Sequence, residues 1–95
     1  MIVRQRFVVR GRVQGVGFRV FAEATAAAEN LHGHARNLPD GRVEVLAVGE
    51  PKQVEVLLEW LWRGPPAAQV ANVEVQSVDP GTLGEIPAAF STGRG

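Results

Sequence analysis

The chain has 95 residues and a formal net charge of zero at pH 7, with ten basic and ten acidic residues. This length fits one domain, which we expect to span residues 1–95. The balanced charge argues against a protein that coats nucleic acid or an anionic membrane, and the lack of cysteine excludes disulfides and thiolate chemistry. No apolar run is long enough to cross a bilayer, so a cytoplasmic protein is expected. Nothing in the sequence demands more than a monomer.

The first thirty residues predict a strand followed by a helix. The stretch "VRQRFVVRG", Val3 to Gly11, alternates apolar and basic residues with period two, which is typical of a half-buried strand. The stretch from Phe18 to Asn30 is rich in alanine and predicts a helix. Asn30 is a suitable end for it, because asparagine tolerates the left-handed conformation found there. The helical spacing predicts an inward stripe of Phe18, Phe21, Ala22 and Thr25.

A hairpin is predicted next. "HGHARN", from His32 to Asn37, is a short strand, and "RVEVLAV", from Arg42 to Val48, is a stronger one. The intervening Pro39, Asp40 and Gly41 have the chemistry of a tight turn, since proline pre-sets one dihedral and glycine accepts a positive φ.

The second half predicts one more helix and one more strand. Pro51 suits a first helical turn, and Gly64, followed by two prolines, ends the helix. The segment from Val70 to Val78 alternates again as a strand. The remaining tail is predicted to form a loop, with a brief edge strand around Phe90. Trp60 and Trp62 are expected in the core or at the rim of the second helix.

The order of elements is therefore strand, helix, strand, strand, helix, strand. This βαββαβ order predicts an α+β, ferredoxin-like two-layer sandwich, with two helices on one face of an antiparallel sheet. The opposite face of the sheet is expected to be largely polar. The face under the helices is expected to carry Phe7, Val9, Val45, Val73 and Val75.

The stretch "GRVQGVGFR", from Gly11 to Arg19, lies between the first strand and the first helix. Gly15 and Gly17 can take backbone conformations that turn successive N–H groups into an anion-binding concavity. A helix start also favours an anion, and the Arg19 guanidinium can grip two phosphate oxygens. These features favour a small oxyanion. A tight turn followed by a solvated arginine is the alternative that the residues alone leave open.

Two motifs together resemble the acylphosphatase family. The first is "VQGVGFR", with Val13 to Gly17 leading into Phe18 and Arg19, and the second is "GHARNLPDGRVEV", with Gly33, Asn37, Asp40 and Gly41 at the family positions. The resemblance covers the chain from Val3 to about Val78. Two departures stand out: His34 replaces the tryptophan of many members, and the C-terminal stretch matches poorly.

The resemblance implies hydrolysis of carboxyl-phosphate anhydrides to a carboxylate and inorganic phosphate. It implies that Arg19 and Asn37 are the catalytic residues: the arginine holds the phosphoryl group and the asparagine positions the attacking water. It also implies that the substrate is a small-molecule acyl phosphate. The residues offer no plausible set of metal ligands and the charge is balanced, so no cofactor, metal, nucleic acid or membrane is expected to take part. The phosphate-binding residues are then Gln14, Gly15, Val16, Gly17, Phe18 and Arg19.

Three other functions can be weighed against this one. A non-catalytic phosphate-binding regulatory domain of the same fold is the main alternative, and Asn37 argues against it. A metal site would have to start from His32 and His34, which lie two apart on one strand and lack an evident third ligand. RNA binding of the common kind needs aromatics on the open sheet face. None of the outward positions there is aromatic, which argues against RNA binding of this kind. These positions are Arg4, Arg6, Arg10, Arg42 and Glu44.

Overall fold

The computed structural model describes residues 1–78 and 91–92. Its strands form a single sheet in the order β4-β1-β3-β2-β5. The predicted βαββαβ order is confirmed, and Ser91 and Thr92 add a short fifth strand; Phe90 itself lies outside the described residues. The elements are β1 (Val3–Arg12), α1 (Phe18–Ala28), β2 (His32–Asn37), β3 (Val43–Gly49), α2 (Pro51–Arg63), β4 (Gln69–Ser77) and β5 (Ser91–Thr92).

Strands β1 to β4 form an antiparallel sheet. Strand β1 pairs with β3 on one side and β4 on the other, and β3 also pairs with β2. Because β1 and β2 both run antiparallel to β3, they point the same way, and α1 carries the chain from one to the other across β3. Strand β5 pairs in parallel with β2. The antiparallel ferredoxin-like sandwich is thus confirmed, with a parallel addition at the edge.

The core lies between the two helices and one face of the sheet. Helix α1 buries Phe18, Ala22 and Ala26, so Ala26, not the predicted Thr25, continues the inward stripe. The Thr25 hydroxyl instead donates to the carbonyl of Phe21 at 2.9 Å. The fully buried side chains of the sheet on this side include Phe7, Val9 and Val45, and helix α2 adds Val54, Leu57 and Leu61.

The helix ends follow the predicted chemistry. Asn30 has a φ of 57°, the left-handed conformation expected just past the end of α1. It turns the chain so that Leu31, only 3% exposed, packs into the core. Pro51 lies in the first turn of α2, and Gly64 follows its last residue. Trp60 and Trp62 are both exposed, so the rim position is the correct alternative.

The opposite face of the sheet is less polar than predicted. Val8, Leu46 and Val48 are buried on it, since they alternate with the core residues along β1 and β3. Conversely, Val75 was predicted to be buried under the helices and is 45% exposed, although Val73 on the same strand is buried. Val75 lines a surface cavity beside the start of α2, so the helix does not cover it. Alternation in the sequence predicts which face a residue takes but not how well that face is covered.

Glu44 is the buried carboxylate of this opposite face and is only 5% exposed. It accepts hydrogen bonds from Nε of Arg6 at 2.5 Å and Nε of Arg36 at 2.7 Å, and its other contact is Nε2 of His34 at 3.2 Å. Burial by itself raises the pKa of Glu44, but the hydrogen bonds from Arg6, His34 and Arg36 outweigh it and lower the pKa below its ordinary value. The Glu44 carboxylate of β3 thereby links its own strand to β1 and β2.

We expect Glu44→Gln to destabilise the fold near pH 7 by about 1–2 kcal/mol, because charged hydrogen bonds are lost between groups that are partly screened by solvent. Since the folded pKa of Glu44 is lowered from 4.5, its stabilisation is complete above that value and is lost as the pH falls through the folded pKa. Thermal unfolding of the original protein and of Glu44→Gln, measured from neutral to acid pH, should show that the difference between their Tm values decreases as the pH falls.

Glu74→Gln is the matched control, because Glu74 is exposed on the same face and its substitution should change stability by less than about 0.5 kcal/mol. A Glu44→Gln protein as stable as the original at pH 7 would contradict the role given to this cluster.

Candidate active site

The loop between β1 and α1 ends in two left-handed glycines. Gly15 has a φ of 74° and Gly17 a φ of 79°, and Gly17 is the N-terminal cap of α1. The first backbone bond of the helix runs from the N–H of Phe21 to the carbonyl of Gly17 at 3.0 Å. The three N–H groups before Phe21, starting at Phe18, therefore lack a partner within the helix, and they point toward the loop where an anion would lie.

Strand β2 ends at the same edge of the sheet. Asn37, its last residue, pairs with Val43, which pairs in turn with Val9 of β1. Strand β1 continues three residues further, to Arg12, before the chain enters the loop. The parallel directions of β1 and β2 thus bring Asn37 beside the loop, although the two lie twenty or more positions apart in the sequence.

A cavity of about 140 Å³ lies between these segments. This is below the roughly 300–1,000 Å³ of sites that enclose drug-sized ligands, so it suits a small oxyanion. Among the described residues that line it, Arg19 supplies the charge and none is acidic. The lining residues are Val13, Gly15, Gly17, Phe18, Arg19, Val20 and Asn37.

Five of the seven residues singled out in the sequence line this cavity, namely Gly15, Gly17, Phe18, Arg19 and Asn37. Gln14 and Val16 do not, and Val16 packs partly against the core. Sequence reasoning missed Val13 and Val20. The position of Val20 could have been inferred, because it follows Arg19 in the first helical turn, whose N–H groups have no acceptor within the helix.

Gln14 turns its side chain away from the cavity. Its Nε2 donates to the carbonyl of Leu38 at 2.8 Å and to the carbonyl of Arg42 at 3.0 Å. An amide nitrogen carries two hydrogens, so both are engaged. A contact from this residue to phosphate is therefore left to its backbone N–H.

The glycines of the motif have different structural roles. A Cβ on Gly11 would collide with the backbone of Gln69 and Ala71, at the bulge where the pairing of β1 with β4 changes register. A Cβ on Gly15 or Gly17 would meet no atom within 4 Å. Gly11 thus serves strand packing, whereas Gly15 and Gly17 are required by their positive φ and leave open space in front of the loop.

The alternative of a metal site can be placed in the fold. His32 and His34 are both on the sheet face opposite the helices, and His34 contacts Glu44. Within residues 1–78 and 91–92, no three His, Cys, Asp or Glu side chains are grouped so as to hold a metal ion. Across the same ranges, no helix has the length and hydropathy to span a membrane.

The acylphosphatase family model matches residues 5–84 of the chain. The chain belongs to the acylphosphatase family.

Individual acylphosphatases are similar over most of their length. The acylphosphatase of Anaeromyxobacter dehalogenans is 51% identical over 89 residues, which cover 93% of this chain and 96% of that protein. The acylphosphatase of Chromohalobacter salexigens is 52% identical over 78 residues, 79% of this chain and 87% of that protein. The crystal structure of the acylphosphatase from Bacillus subtilis superimposes with a TM-score of 0.85 at 36% identity, covering 97% of this chain and 98% of that one.

In this family member, Gly15→Ala tests whether the left-handed loop serves phosphate. Gly41 provides a matched control, because it also has a positive φ, 96°, and open space around its Cβ but does not line the cavity. Each substitution should cost roughly 1–2 kcal/mol of stability through backbone strain. Only Gly15→Ala should weaken inhibition by inorganic phosphate and slow turnover, because relaxing its φ re-aims the loop N–H groups.

Thermal unfolding and phosphate inhibition of both variants check this. Unchanged phosphate affinity in Gly15→Ala would leave the loop with only the role of a tight turn.

Proposed function

We propose that the phosphoryl group of an acyl phosphate binds in the cavity between the 15–19 loop and the end of β2, held by the loop N–H groups and Arg19, while Asn37 positions the attacking water. Hydrolysis of acyl phosphates to carboxylate and inorganic phosphate follows from membership of the acylphosphatase family. The observation that carries the assignment of residues is the convergence of a cation, left-handed glycines and an amide on one small cavity.

The loop and Arg19 suit a phosphoryl group for electrostatic reasons. Phosphoryl transfer depends mostly on positioning and on stabilising charge that spreads over the equatorial oxygens. The N–H groups at the start of α1 and the dipole of the helix provide fixed partial positive charge. A basic residue in this turn is unfavourable to the helix itself, and the first turn of α1 contains no acidic residue to balance it. A bound phosphate dianion would offset the positive charges of Arg19 and of the helix start.

Asn37 suits the nucleophile for complementary reasons. An acyl phosphate already carries a good leaving group, a carboxylate, so its hydrolysis needs no strong general base. The side-chain carbonyl of Asn37 can accept a hydrogen bond from water and its amide can donate one. Being neutral, it also avoids placing a negative charge next to a phosphate dianion. We therefore propose that the residue orients water and does not take up a proton, and that no metal ion is required.

The alternative of a non-catalytic phosphate-binding domain is not favoured. Its site would need the loop and Arg19 but not a side-chain amide in the cavity lining, where Asn37 lies. The relatives that are about half identical over most of the chain are acylphosphatases.

The setting in which the enzyme works is also part of the proposal. We infer that it acts as one domain, as a monomer and in the cytoplasm, on small-molecule acyl phosphates. A common core that joins both helices to strands β1 to β4 supports the single domain. The zero formal net charge supports a substrate other than nucleic acid or an anionic membrane.

Two substitutions should separate holding the phosphate from positioning the water. Arg19→Lys keeps the charge but loses the planar fork of donors, so we expect weaker inhibition by inorganic phosphate together with a loss of roughly 10²–10³ in kcat for benzoyl phosphate. Asn37→Ala removes the water ligand and leaves the loop intact, so kcat should fall by a comparable factor of roughly 10² with phosphate inhibition unchanged. Steady-state kinetics with phosphate as competitive inhibitor measure both parameters.

Asn37→Asp refines this comparison, since it keeps the shape of the side chain and adds a negative charge. It should also be slow, and it should bind phosphate worse than the alanine variant. A fully active Asn37→Asp enzyme would remove Asn37 from the mechanism, and near-normal turnover by a folded Arg19→Lys enzyme would remove the forked contact of Arg19.

A further inference from the structure

The side chain of Gln14 connects two segments that the chemistry requires to stay in register. Gln14 lies on the loop that receives the phosphoryl group, between Val13 and Gly15. Its two amide hydrogens are donated to the β2–β3 turn, at the carbonyls of Leu38 and Arg42. The residue is partly buried, so these bonds are made in surroundings where water competes less.

The two acceptors close the neck of the turn. The N–H of Leu38 also donates to the carbonyl of Arg42 at 2.8 Å, and the N–H of Gly41 donates to the carbonyl of Leu38 at 3.2 Å. Gln14 therefore binds the two carbonyls at which the turn leaves β2 and enters β3, rather than the tip of the turn. A shift of the loop relative to the turn would break both bonds at once.

Asn37 precedes Leu38 directly. Its backbone is fixed within the sheet by pairing with Val43, but its distance from the phosphate depends on where the β1–α1 loop lies relative to that turn. Gln14 sets this relation through a side chain of fixed length. The nucleophile must stay in line with the bond that breaks, and a displacement of about 1 Å can cost roughly 10²-fold in rate.

We propose that Gln14 is a positioning residue, which holds the phosphate-binding loop and Asn37 at the separation needed for in-line attack, through its hydrogen bonds to Leu38 and Arg42. The inference rests on the assignment of Asn37 made above. It gives Gln14 a role in the rate of the chemical step that is distinct from phosphate binding. In this role the side chain acts on the turnover number and has little effect on affinity for inorganic phosphate.

A double-mutant cycle of Gln14→Met and Asn37→Ala tests this most sharply. Methionine has similar length but donates no hydrogen bond. Gln14→Met should lower kcat for benzoyl phosphate by roughly 10–10²-fold and change phosphate inhibition by less than about threefold. If Gln14 acts through Asn37, the double variant should be no slower than Asn37→Ala alone, within about threefold, since coupled residues are non-additive.

Asp40→Ala controls for general weakening of the turn. Oδ1 of Asp40 accepts the N–H of Arg42 at 3.1 Å, so this variant loosens the turn without cutting its link to the loop. We expect it to lower Tm, as Gln14→Met does, while kcat stays within about threefold of the original because Asn37 keeps its link to the loop. An equal loss of kcat in Asp40→Ala would overturn the specific role of the Gln14 link.

The remaining outcomes separate this inference from the proposed function. Unchanged kcat in Gln14→Met overturns the inference, as do losses that multiply in the double variant while Asn37→Ala alone is slow; both leave the assignment of Asn37 intact. A fully active Asn37→Ala overturns the assignment of Asn37 and the inference with it.

Discussion

The site depends on one topological constraint: β1 and β2 must end at the same edge of the sheet. Both strands run antiparallel to β3, which lies between them, and α1 starts at the edge where β1 ends. The start of α1 and the last residue of β2 are thereby brought to one place. Neither segment forms the cavity alone, because its lining combines residues of the loop and of α1 with Asn37 of β2.

The two ends of this arrangement contribute different chemistry. Backbone N–H groups and a helix dipole are fixed in direction by the fold, so in the proposed mechanism they would stabilise charge without reorganising during the reaction. Asn37 is neutral and is the last residue of β2, where pairing with β3 holds its backbone. The proposed site thus has fixed donors around the phosphoryl group and an amide beside it, and none of the described residues that line the cavity is acidic.

Local chemistry made much of this predictable from the sequence. Asn30, Pro51 and Gly64 mark helix ends through conformational preferences of single residues, and β2 was predicted with the bounds that the structure shows. The cavity residues Gly15, Gly17, Arg19 and Asn37 came from motif chemistry combined with a family resemblance. Each of these inferences needs only neighbours along the chain or a known pattern.

What the sequence did not reveal depends on partners far away along the chain. The amide of Gln14 meets carbonyls 24 and 28 residues later, so its direction follows from the tertiary fold and not from the motif. The need for glycine at position 11 arises from Gln69 on the neighbouring strand. The burial of Leu46 and the exposure of Val75 likewise depend on what covers each face of the sheet, which period-two alternation does not report.

The central claim is that water attacks phosphorus while the phosphoryl group is held in the cavity, and the fate of isotopic oxygen tests it directly. Hydrolysis of benzoyl phosphate in ¹⁸O-labelled water can be followed by mass spectrometry of both products, with the enzyme-free reaction as control. Attack at phosphorus, with cleavage of the phosphorus–oxygen bond, predicts the label in inorganic phosphate and none in benzoate. Enzyme-dependent label in benzoate would mean attack at the carbonyl carbon, and it would contradict the roles given to the loop, Arg19 and Asn37.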